Sequence, residues 1–138
     1  MEEEAPRVTC LDTSVLIDAM RNDARARAAV EAAAEDGIVT TEVNAYELYV
    51  GAHREGRPRE ADLRSIERGL SEIEVLPLVR PATIRAATLT SLLRSRGEAI
   101  GTLDVLIAAI ALAHGVRRVL THDVRDFGRI PGIRVETY

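Results

Sequence analysis

The chain has 138 residues, 46% of them hydrophobic, a formal net charge of −4 at pH 7 and one cysteine, Cys10. That length carries one domain, 1–138, with a core that needs no staple. A lone cysteine excludes a disulfide framework, and no apolar run reaches the roughly 18 residues of a membrane span. The opening Met1-Glu2-Glu3-Glu4 is acidic where a secretory signal is basic, so a reducing cytoplasm is the expected setting. All 18 basic residues are arginine, whose forked guanidinium suits phosphate, so net acidity does not exclude a nucleic-acid partner.

In chain order, a strand over 7–11 leads through Asp12-Thr13-Ser14 into a short helix over 15–20. An alanine-rich helix follows over 22–35 and stops at Gly37. A strand over 38–40 runs straight into a helix over 42–53. The Gly56-Arg57-Pro58 turn opens a charged helix that ends near Leu70, and a strand over 73–78 comes next. Pro81 suits the first turn of a helix running to Arg96, with Gly97 as its stop. Thr102 is the predicted N-cap of a buried helix over 103–114, closed by Gly115. Strands over 116–120 and 133–136 complete the chain, with a polar loop between them. Short strands separated by helices predict an α/β sandwich: a central, mostly parallel sheet of four or five strands with helices on both faces. In such sheets ligands lie beyond the carboxyl ends of the strands.

Several acids fall there. Taken alone, each has a structural explanation. Asp12 can cap a helix, and Asp104 can favour the dipole of the helix it opens. Glu47 can reach out from the border of an apolar stripe, and Asp123 and Asp126 can form turns in a polar loop. Together they pose a problem, because converging carboxylates repel and raise one another's pKa unless a cation neutralises them. An oxygen-only donor set with no histidine or cysteine at metal spacing suits Mg²⁺ or Mn²⁺ rather than zinc. Such ions activate water for attack on a phosphodiester.

Four segments carry a resemblance. Residues 8–18, VTCLDTSVLID, look like the opening strand–turn–helix of PIN domains. Residues 41–52, TEVNAYELYVGA, resemble the family's second-acid helix, and residues 100–109, IGTLDVLIAA, its third-acid segment. Residues 120–127, LTHDVRDF, followed by IPGIRV at 130–135, look like the closing block of the VapC toxin subfamily. Four motifs in order, spread over nearly the whole chain, are specific where any one would be weak. The resemblance implies an endoribonuclease, the toxin of a toxin–antitoxin pair. It makes Asp12, Glu47 and Asp104 metal-site acids, with the fourth at Asp123 or Asp126. It makes Thr121, Thr13 and Ser14 groups that orient ligands or water. The family often has Asn where this chain has Asp123, which leaves both acids open as the fourth. It also implies an RNA substrate, a cognate antitoxin whose tail covers the acidic groove, and a homodimer, for which Tyr46, Tyr49 and Leu63 are the expected outward apolar groups.

Other folds that put an aspartate after the first strand, receiver-like and haloacid-dehalogenase-like, look to a lysine late in the chain. There is none here. Two alternatives keep the PIN resemblance: a nuclease of RNA processing without an antitoxin, and a non-catalytic RNA-binding module. His53, His114 and His122 are too scattered to suggest a site, although His122 stands beside Asp123.

Overall fold

The computed structural model describes residues 7–54 and 56–138; the acidic opening at 1–4 lies outside the described residues. Five short strands form one sheet: β1 (Thr9–Leu11), β2 (Ile38–Thr41), β3 (Glu74–Leu76), β4 (Arg118–Leu120) and β5 (Arg134–Glu136). All four pairings are parallel, in the order β3-β2-β1-β4-β5. The helices are α1 (Thr13–Met20), α2 (Ala24–Ala34), α3 (Glu42–Ala52), α4 (Glu60–Ser71), α5 (Arg80–Ser95), α6 (Thr102–Ala113) and α7 (Val124–Gly128).

Side chains alternate along a strand, so a strand buried on both faces feeds two cores. Cys10 and Val119 enter one, with Ala82, Ala86, Leu89 and Leu93 of α5, Phe127 of α7, and α6. Leu11 and Leu120, the next residues, enter the other, with Val15 and Leu16 of α1, Leu48 and Ala52 of α3, and Ile66 of α4. Helix α6 buries Val105 and the whole run Ile107 to Ala111, which is why its sequence is apolar all round.

The strand order fixes where a ligand can bind. The chain builds outward from β1 to β3, then crosses to β4 on the other side of β1. That reversal opens a crevice beyond the carboxyl ends of β1 and β4. Asp12 directly follows β1, and Thr121, His122 and Asp123 directly follow β4.

The predicted helix from Asn22 begins at Ala24. Asn22 is left-handed (φ 63°), which asparagine tolerates, and the Asp23 side chain caps the helix by accepting from Ala26 N at 2.9 Å. Thr102 is not a cap but the first residue of α6; the N-cap is Gly101. The predicted polar loop after β4 contains α7, which buries Phe127. Tyr49 and Leu63, expected to face outward, are half-buried against the second core, whereas Tyr46 (57% exposed) and Val50 (53%) are the exposed apolar residues of α3. No helix of the described residues is long and apolar enough to cross a membrane.

Candidate metal centre

Asp12 is 6% exposed. It stands at the N-cap position of α1, yet its carboxylate makes no capping bond. Instead Thr121 Oγ1 donates to its Oδ2 at 2.6 Å, and Asn44 Nδ2 donates to its Oδ1 at 3.1 Å. Capping therefore does not explain why an aspartate stands here. Thr121, fully buried, also accepts the backbone N–H of Asp123 at 2.9 Å, so one hydroxyl links the end of β1 to the loop after β4.

Glu47 does not reach outward: Thr13 Oγ1 donates to its Oε1 at 2.7 Å, and that hydroxyl accepts from Asn44 Nδ2 at 3.0 Å. Asn44 is the hub, and sequence reasoning gave it no role. It is fully buried, its two amide hydrogens go to Asp12 and Thr13, and its Oδ1 accepts from Thr41 Oγ1 at 2.7 Å. The available signal was a polar residue between Val43 and Ala45, three positions after the Thr41 cap.

Asp104, Asp123 and Asp126 each bring a carboxylate oxygen within 4.8 Å of the other two. Asp104 projects from the first turn of α6, and Asp123 caps α7 by accepting from Asp126 N at 3.3 Å. Both candidates for the fourth acid are thus in the cluster. Burial, reinforced by Asp12, Asp123 and Glu47, pushes Asp104 up to about 7. Burial also raises Asp12 despite the bonds from Thr121 and Asn44, and raises Glu47, with Asp12 adding repulsion. Among the described residues, none of these acids has a basic side chain within ion-pair distance. Close, oxygen-only and uncompensated by arginine, the set fits a hard divalent cation. Ser14 takes no part in the cluster but accepts from His122 N at 3.2 Å. His53 and His114 lie apart, each with Nδ1 against a carbonyl of its own helix.

The raised carboxyls fix the sign of a pH effect. Between the ordinary aspartate value near 4 and about 7, the folded chain keeps a proton on Asp104 that the unfolded chain has lost. The stability this provides is full at the acid end and is lost as pH rises; Asp12 and Glu47 act in the same direction. In EDTA, the melting temperature is expected to contain a component that falls across this window and is absent from Asp104→Asn. Parallel melting-temperature profiles for the two proteins would contradict it.

Comparison with known proteins bears on the family and the fold. The PIN domain family model matches residues 9–133. The chain is 36% identical over 92 residues to the tRNA(fMet)-specific endonuclease VapC of Salmonella typhimurium, spanning 67% of this chain and 68% of that one. DNA-bound VapBC from Salmonella typhimurium superposes with a TM-score of 0.82 at 30% identity, covering 94% of this chain and 96% of that one. VapBC2 from Rickettsia felis, bound to a DNA fragment from its promoter, shares the fold with a TM-score of 0.85 at 23% identity, over 95% and 98% of the two chains. The chain belongs to the PIN-domain family.

Proposed function

We propose that this chain is a Mg²⁺- or Mn²⁺-dependent endoribonuclease and the toxin of a toxin–antitoxin pair, acting as one domain in the cytoplasm. The observation that carries the proposal is the cluster of Asp104, Asp123 and Asp126, flanked by Asp12 and Glu47, at the switch point of the sheet. The names of the relatives support the activity.

When bound, the cation supplies a water of lowered pKa and a Lewis acid for the phosphodiester. Asp12, Asp104, Asp123 and Glu47 would hold it, with Asp126 beside them. Thr121 and Asn44 hold the Asp12 carboxylate in one orientation, and Thr13 does the same for Glu47, so no rotamer search precedes binding. Thr121 also holds the Asp123 backbone.

The partner would be an antitoxin whose tail covers the acidic groove and which docks alongside through an apolar, acidic segment. A groove of about 530 Å³ between α1, α3 and α4 offers matching chemistry: Ile17, Leu48 and Ile66 along it, with Arg21, Arg54 and Arg57 among its lining. Homodimerisation would use the exposed Tyr46 and Val50 of α3.

Incubation of the purified protein with total RNA tests the proposal. Cleavage is expected in Mn²⁺ or Mg²⁺ and none in EDTA; cleavage that survives EDTA, or none with either metal, overturns it.

A further inference from the structure

Outside the acid cluster, three side chains from distant parts of the chain meet: Asp18 on α1, His122 between Thr121 and Asp123, and Tyr138, two residues beyond β5. Tyr138 Oη donates to Asp18 Oδ2 at 2.6 Å. His122 Nε2 lies 3.0 Å from the same carboxylate oxygen and 2.7 Å from Tyr138 Oη, with the two rings edge-to-face and their centroids 4.4 Å apart. The proton on His122 follows from donor counting. The phenol's one hydrogen goes to Asp18 and the carboxylate has none, so Nε2 must carry a hydrogen and donate. The hydrogen bonds from Tyr138 and then His122 hold Asp18 below its usual range, while burial and then Asp18 push the phenol up, as charge-assisted bonds require.

The trio grips the loop that carries Thr121 and Asp123. The loop's own backbone is fastened by Thr121 N to Glu136 O at 2.9 Å and by His122 N to Ser14 Oγ at 3.2 Å. Among the described residues, only the His122 side chain ties it to the far end of α1 and to the segment after β5.

We propose that Asp18, His122 and Tyr138 form a positioning clamp that locks the loop after β4 onto α1, holding Asp123 at the cation site and so setting metal affinity. The clamp rests on the cation-site proposal above. None of its members touches the ion or the substrate; they act through Asp123.

Titration with Mn²⁺ alone by calorimetry, alongside thermal melts, tests it on wild type, Tyr138→Phe, His122→Leu, His122→Gln and Asp104→Asn. His122→Leu is expected to weaken Mn²⁺ binding about tenfold. Tyr138→Phe, which keeps the ring and deletes one hydroxyl, is expected to weaken it about threefold. His122→Gln can return an N–H to the Nε2 position and is expected to recover most of the affinity. A merely structural histidine would lower the melting temperature and leave affinity unchanged. If His122→Leu does not fold, Tyr138→Phe decides: wild-type affinity overturns the clamp. Wild-type affinity in Tyr138→Phe and His122→Leu, with binding lost in Asp104→Asn, overturns the clamp alone. Unaltered binding in Asp104→Asn overturns the cation site and the clamp with it.

Discussion

Asp104→Asn is expected to lose RNA cleavage by about a hundredfold or more, while the EDTA-treated protein becomes as stable as wild type or more so. The substitution keeps the side-chain shape and removes one charge from a cluster where burial, and then the charges of Asp12 and Asp123, push Asp104 up to about 7. Asparagine ligates a hard cation weakly, so the loss falls on metal binding and on the chemistry it supports. The structural alternative, a carboxylate kept for the dipole of α6, gives the opposite sign: the variant would lose roughly 0.3–1 kcal/mol and cleave as before. Chemical denaturation in EDTA and cleavage in Mn²⁺ separate the two. Full cleavage together with lowered stability would show that Asp104 serves the helix and not an ion.

Asn44→Asp is the second large effect, and it acts on stability. Asn44 is fully buried and donates to Asp12 and Thr13. The replacement is nearly isosteric, so it leaves no cavity, but it turns a donor toward Asp12 into an acceptor and adds charge where Asp12 is already raised by burial. An uncompensated buried charge of this kind costs about 3–5 kcal/mol. The pH dependence identifies the cause. The new carboxyl's folded pKa would be raised, so the deficit should be largest above neutrality and shrink as the pH falls and the group takes up a proton. Urea denaturation of both proteins at pH 5 and pH 8 measures this. A deficit that does not change with pH would mean that lost amide bonds, rather than charge, dominate.

The layers were legible because β-strands buried on both faces leave short apolar runs, such as those around Cys10 and Val119, and because Gly97 and Gly115, both left-handed, mark the ends of α5 and α6. Asp12, Asp104 and Asp123 drew notice because they stand at strand ends and helix starts, where a parallel sheet opens its crevice, whereas Glu47, inside α3, was singled out as a site acid only by the resemblance. Helix α7 was not: five residues give no period, and Thr121-His122-Asp123 reads as a polar turn. Asn44 was missed because a single polar residue inside an apolar stretch states nothing about its partners, which lie 31 and 32 positions away in sequence. Tyr49 and Leu63 were misjudged because a helix wedged between a sheet and another helix hides more than one stripe, so spacing alone does not say which side meets water.

The central claim, that these carboxylates form a cation site, is tested most directly by crystals soaked in Mn²⁺ and measured for anomalous scattering at the manganese edge. One or two peaks are expected among Asp12, Asp104 and Asp123, within ligand distance of their oxygens, about 2.0–2.3 Å as for other small hard cations. At saturating Mn²⁺, an acid cluster without anomalous density would contradict it.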